Sequence, residues 1–199
     1  MNDKIHLLEM IAGTNRGLLA GEKDRVKILT AVEHLEDHNP YPHPLETGFL
    51  LDGVWRLLYT TSRNVLGLGR FPLVQLGEVY QCIQTTEAKL YNLAEFRGLP
   101  WLESLVAVAA SYQRVSERRI EVHFKRSLLG FQRLMGYESP TQLIQALELE
   151  QKFWAIDVTL PRRESLGWLE TTYLDNDLRI GRGNEGSVFI LARSSPLIA

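Results

Sequence analysis

The spacing of apolar positions changes once along the chain. Ile5, Leu8 and Ile11 recur at helical intervals, as do Ile28, Val32 and Leu35 after the break at Gly21, and both runs end before Asn39-Pro40. The next segment carries Pro40, Pro42 and Pro44 and is a stiff connector. From Leu51 onward the period is two. Ile120, Val122 and Phe124 alternate with Glu121, His123 and Lys125, and Trp154, Ile156, Val158 and Leu160 alternate with Ala155, Asp157 and Thr159, the texture of half-buried strands. Further strands are predicted at Trp55–Thr61, Val79–Gln84, Ala88–Leu93, Leu105–Tyr112, Leu169–Tyr173, Leu178–Arg182 and Val188–Leu191, with a short helix at Thr141–Leu149. About eight or nine strands at hairpin spacing suit a closed antiparallel barrel that holds one small ligand. The expected fold is therefore mainly β: a helical segment at 1–40, a barrel at 46–193 and a tail at 194–199.

Composition narrows the function. The chain has 199 residues, 45% of them apolar and 23% charged, enough for one core with no sign of disorder. With 22 basic and 24 acidic residues the formal charge is −2, which excludes a protein built to coat nucleic acid. The single cysteine, Cys82, excludes an internal disulfide framework and fits a reducing compartment. The longest small-apolar stretch, Leu105 to Ala110, is far short of the ~20 residues of a spanning helix, so any membrane contact is expected to be peripheral.

Trp55, Leu57 and Tyr59 share one face of the first strand and, with Val122, Phe124, Trp154 and Ile156, are the candidate lining of an apolar cavity. Arg179 and Arg182 lie on a late strand, and guanidinium groups are buried only when paired or stacked on an aromatic face. One of them packs on Trp55 as a structural seal, or points into the cavity and holds a carboxylate or diphosphate head group with help from Tyr59 or Tyr173. Asp175 and Asp177 are close enough in sequence to pair with these arginines across a turn. Gly181, Gly183 and Gly186 match G-x-G-x-x-G, but the β-type run Ser187–Leu191 comes next where a nucleotide site needs a helix, so the glycines predict a hairpin turn. His34, His38 and His43 have a weak metal-ligand spacing that a helix C-terminus explains equally well, and no metal is expected. Cys82 is expected to be a small buried residue. No serine or cysteine has an identifiable neighbouring base, so no catalytic residue is assigned.

Two segments mix apolar and basic residues as lipid-surface loops do: 65–71, with Leu66, Leu68, Arg70 and Phe71, and 125–133, with Arg126, Leu128, Leu129 and Phe131. The same loops could instead fold over a barrel mouth as a lid.

The Gly53-x-Trp55 entry resembles that of a lipocalin-type (calycin) barrel. Together with Tyr59-Thr60-Thr61, Thr14-Asn15-Arg16-Gly17 and the segment from Tyr173 to Gly186, it makes the chain similar to the plastid lipid-associated protein (PAP) or fibrillin family, in its cyanobacterial form. The resemblance implies a lipocalin-like barrel that binds carotenoids, quinones or acyl lipids at thylakoid membranes or lipid globules, with photoprotective or scaffolding roles beside isoprenoid-quinone synthesis enzymes. It implies no nucleic-acid partner and no cofactor beyond a bound apolar molecule. With no transit segment recognised, a cytoplasmic location against the thylakoid is expected. Two competitors remain: a bilin lyase of similar fold, which needs an acid-rich pocket, and an adaptor whose barrel is filled with side chains and whose Ile28, Val32 and Leu35 recruit an enzyme.

Overall fold

The computed structural model describes residues 2–68, 74–98, 101–161 and 166–195. Two helices, α1 (Asn2–Ala12) and α2 (Glu22–Asp37), precede a short α3 (Gly48–Leu51) that leads into β1 (Gly53–Thr60). After α4 (Arg63–Leu68) come β2 (Gln75–Gln84), β3 (Lys89–Arg97), β4 (Ser104–Arg114) and β5 (Arg119–Phe131). The chain continues through α5 (Gln132–Met135), α6 (Pro140–Glu148), β6 (Ile156–Thr159), β7 (Leu166–Leu174), β8 (Leu178–Gly183) and β9 (Val188–Ser195). Strands β1-β2-β3-β4-β5-β7-β8-β9 pair antiparallel in that cyclic order and close an eight-stranded barrel, while β6 adds to β5 outside the ring.

Alternation along the strands sorts the core into an interior and two outer layers. Trp55, Leu57, Leu90, Val122 and Leu169 face the inside. On one outer face Val54, Cys82, Leu105 and Leu128 are buried under Leu143, Ile144 and Leu147 of α6. That helix starts where Ser139 accepts a hydrogen bond from the Gln142 amide at 3.2 Å and Pro140 takes the first turn. On the other face Ile28, Val32 and Leu35 of α2 and Leu7 and Ile11 of α1 cover Leu178, Ile180, Val188 and Ile190. The helical face expected as an adaptor surface is thus already occupied by the barrel.

Register shifts correct three expectations from strict alternation. Between Leu57 and Tyr59 the β1–β9 pairing slips, and between Thr171 and Tyr173 the β7–β8 pairing does the same. Each slip inverts the facing of the residues beyond it, so Tyr59 and Tyr173 turn outward beneath α1 and α2 and neither meets the cavity. On β5 the pairing jumps from Arg126 to Phe124 across Lys125, which places Ser127 and Leu129 on the same side as Val122 and Phe124. The segment expected as a 125–133 loop is therefore the far half of β5. It leaves the ring because β7 pairs only with 119–123, and β6 hangs on it at Arg126–Leu129. Trp154 and Ile156, expected in the cavity, are in consequence 84% and 64% exposed.

Charged pairs fasten the helices. Lys4 of α1 holds Asp175 at 2.8 Å and lies 3.6 Å from Asp177, so these carboxylates answer a lysine from the N-terminus and not the neighbouring arginines. Burial alone would raise the Asp175 carboxyl, but hydrogen bonds from Lys4, the amides of Asp177 and Leu178 and the Tyr173 hydroxyl hold it below its ordinary range. Arg182 also faces outward and grips Glu36 of α2 with two hydrogen bonds of 2.9 and 2.6 Å. At the α1–α2 link, the Arg16 carbonyl accepts from the Thr60 amide at 3.1 Å, and Gly17 has φ 101° with the Thr60 carbonyl oxygen only 2.4 Å from where a Cβ would stand. Gly17→Ala is expected to destabilise the fold by about 2 kcal/mol or more in urea unfolding, because it adds a clash to a left-handed φ. Gly67→Ala, in open space on α4, should instead stabilise it by about 0.4–1 kcal/mol.

Candidate ligand cavity

One end of the barrel is closed by Trp55. Its indole is fully buried and donates from Nε1 to the Leu51 carbonyl at 2.9 Å, which fastens β1 to α3. Arg193, cross-strand partner of Trp55 on β9, lays its guanidinium 4.2 Å from the ring centre. It donates to the carbonyls of Asp52 at 2.8 Å, Asn176 at 2.6 Å and Leu50. The seal is thus shared: Arg179 packs on Trp55 as expected, and Arg193, a residue outside the sequence candidates, lies closer and would have been revealed by the antiparallel β1–β9 register. Arg179 is 1% exposed and lies 5.1 Å from the same ring, with Nη2 donating to Gln81 Oε1 at 2.6 Å. Burial, and secondarily the charge of Arg193, push its pKa down to about 9. Its Nε and Nη1 are buried and make no hydrogen bond.

Above this floor the barrel is hollow, with a cavity of about 500 Å³, within the range of sites that enclose one small molecule. Leu57, Val79, Leu90, Val106, Val108, Val122, Phe124, Leu169 and Leu191 form an apolar wall, and Gln81 and Asn92 supply a polar pair joined by a 2.9 Å hydrogen bond. Of the sequence candidates, Leu57, Val122 and Phe124 line the cavity and Trp55 closes the end below it. The wall from β2, β3 and β4 was missed, although Val79/Gln81, Leu90/Asn92 and Val106/Val108 show the required alternation. Asn64, Val65 and Leu68 of α4 and Asn184 and Glu185 of the β8–β9 turn form the rim. In that turn Glu185 and Gly186 take positive φ, whereas Gly181 and Gly183 are strand residues of β8.

The two proposed surface segments divide. Leu66 is buried, and Leu68 packs near Leu76 and Phe96 while lining the cavity, so α4 stands at the cavity rim; Arg70 and Phe71 lie outside the described residues. Leu128 is buried beneath α6, and Arg126 is bound to Asp157 at 2.9 and 2.6 Å on the opposite side of the strand from Leu129. Leu129, Phe131, Ile156 and Val158 remain exposed on the side of the sheet that continues the cavity wall, with Trp154 and Leu134 nearby in the chain. Arg133 stacks on the exposed Trp101 at 4.2 Å.

The family model PAP_fibrillin matches residues 1–192. The chain belongs to the PAP/fibrillin family. It is 31% identical to the probable plastid-lipid-associated protein 2, chloroplastic, of Arabidopsis thaliana, over 98% of this chain and 72% of that one. It is 30% identical to the light-induced protein, chloroplastic, of Solanum tuberosum, over 98% and 68%, and 32% identical to plastoglobulin-1, chloroplastic, of Pisum sativum, over 96% and 60%. No solved structure matches it. None of these three names carries an enzymatic activity, and no described helix is long and apolar enough to cross a membrane.

The histidines of the N-terminal region and Cys82 of this fibrillin stand away from the cavity. His34 and His38 stack with ring centres 4.9 Å apart, while His43 pairs with Glu117 at 2.5 Å. Cys82 lies under α6 on the outer face, where burial, then the nearby Glu148 and Asp52 carboxylates, push its thiol up to about 12. Folding favours the neutral thiol, so this contribution to stability is full below the unfolded value near 9 and shrinks as pH climbs toward 12. Alkylation of native protein at mildly alkaline pH, followed by mass spectrometry, should leave Cys82 unmodified over times that label it completely in urea.

Proposed function

We propose that this fibrillin is a non-enzymatic carrier that holds one apolar lipid or isoprenoid in its barrel and docks reversibly on a photosynthetic membrane or lipid globule. The observation that carries this reading is the hollow apolar interior, closed at one end by Trp55 and Arg193 and rimmed at the other by α4. A barrel meant only as scaffold fills its interior with side chains. Among the described residues the cavity lining has one carboxylate, Glu185 at the rim, which does not supply the acid-rich pocket of a bilin lyase. The names of the relatives, plastid-lipid-associated protein and plastoglobulin, agree with an apolar cargo. Sequestering a carotenoid or quinone in this way would serve photoprotection.

Docking is assigned to the extension of β5 and to β6. Leu129, Phe131, Ile156 and Val158 continue the cavity wall beyond the ring, and Trp154 and Trp101 are of the residue type that favours the head-group boundary. Arg133 is a cation of this region, whereas Arg126 is neutralised by Asp157. A ligand leaving the barrel on this side passes onto an apolar surface and meets no wall of charge.

Cargo and docking therefore separate by mutation. The double variant Trp154→Glu/Ile156→Glu should lose flotation with vesicles containing anionic lipid by about tenfold or more while retaining co-purified apolar cargo, as organic extraction and mass spectrometry will report. Val108→Trp fills the cavity at a cost of about 1–3 kcal/mol and should lose the cargo but float as before. Cargo retained in Val108→Trp, or flotation unchanged in the double variant, contradicts the assignment concerned.

A further inference from the structure

We propose that the cavity takes a single-chain amphiphile head first, its carboxylate held by Arg179 at the floor and its apolar chain running to the rim; this rests on the carrier reading above. Arg179 is fully buried, yet no carboxylate among the described residues pairs with it, and two of its three nitrogens lack any hydrogen bond. A buried cation left in this state is costly, and an anion brought by a ligand answers it. The neighbouring Arg193 differs in that its hydrogen bonds go to the carbonyl oxygens of Leu50, Asp52 and Asn176, whereas Arg179, which also lies against Trp55, keeps Nε and Nη1 unused.

On the inward side of β8 above Arg179 stand Gly181 and Gly183, over which Leu169 and Phe189 of the cavity wall pack 3.2 and 3.1 Å from where a Cβ would stand, so the link between the cavity and Arg179 is Gln81. Gln81 spans floor and cavity: its carbonyl oxygen accepts from Arg179 and its amide nitrogen donates to Asn92 Oδ1. A carboxylate oxygen can take the place of the Gln81 oxygen on the guanidinium, and the released amide and Nη1 supply further donors to the same head. Among the described residues the lining holds neither lysine nor arginine, and its one charged residue is Glu185 at the rim. A singly charged head therefore fits, whereas a diphosphate would lack the several cations it needs.

The test is a displacement titration of a neutral fluorescent probe from delipidated protein by palmitate and by methyl palmitate, which share a chain and differ in head charge. The wild type should bind palmitate about tenfold or more tightly than the ester. Arg179→Met should bring palmitate down to the level of the ester and leave the ester within about twofold of the wild type. Should that variant fail to fold, Gln81→Glu supplies the missing anion from the protein itself; it should raise Tm and abolish the preference for palmitate. Equal binding of acid and ester by the wild type, or a preference that survives Gln81→Glu, overturns the head-group assignment and leaves the carrier reading standing. Failure of both ligands to displace the probe overturns both.

Discussion

The contact between Trp55 and Arg193 decides what kind of barrel this is. An eight-stranded ring has room for side chains to fill it or for one small ligand, and the outcome depends on where the large residues are placed. Here the largest of the fully buried side chains, Trp55, is held at one end by its own hydrogen bond to α3 and by an arginine that also bonds the backbone of that helix and of the β7–β8 turn. With the end closed by an indole and a guanidinium, the middle can be built from Val79, Val106, Val108, Val122 and Ala94, which are too small to meet across it. The cavity is what those residue sizes leave once the floor is fixed.

The two helical layers explain how a thin barrel with an empty centre stays folded. An open interior forfeits dispersion contacts, so more of the burial has to come from the outer faces. Bulges in β1 and β7 turn Tyr59 and Tyr173 out of the barrel and into the helical layer, where they join Ile28, Val32, Ile180 and Ile190. The bidentate pair of Arg182 with Glu36, and of Asp175 with Lys4, fixes the angle at which α1 and α2 lie on the sheet. The helices are thus the outer half of the core on that side, not an appendage.

Element type was legible in the sequence because long period-two runs have few competing interpretations. Ile120, Val122 and Phe124 could be placed inside, and Leu178–Arg182 and Val188–Leu191 could be joined through the glycine-rich turn. What local pattern could not supply was the facing of residues beyond a bulge. The slip after Leu57 misplaces Tyr59, and the run from Trp154 into β6 has a regular alternation whose apolar face points to solvent because the strand that β6 pairs with has already left the ring. The arginines show the same limit. Arg179 and Arg182 are three apart on one strand and point to opposite sides, so that only Arg179 packs on Trp55, while the second arginine of the floor, Arg193, is identified only by its pairing with Trp55.

On the carrier reading the interior holds a molecule. Native mass spectrometry of the protein purified from photosynthetic cells, with a mock purification as control, tests this most directly. The expected result is a mass excess corresponding to one apolar molecule per chain, released on raising the collision energy and identifiable from its own mass. A folded protein whose native mass equals that of the bare chain, from cells rich in lipid and isoprenoid, would contradict it.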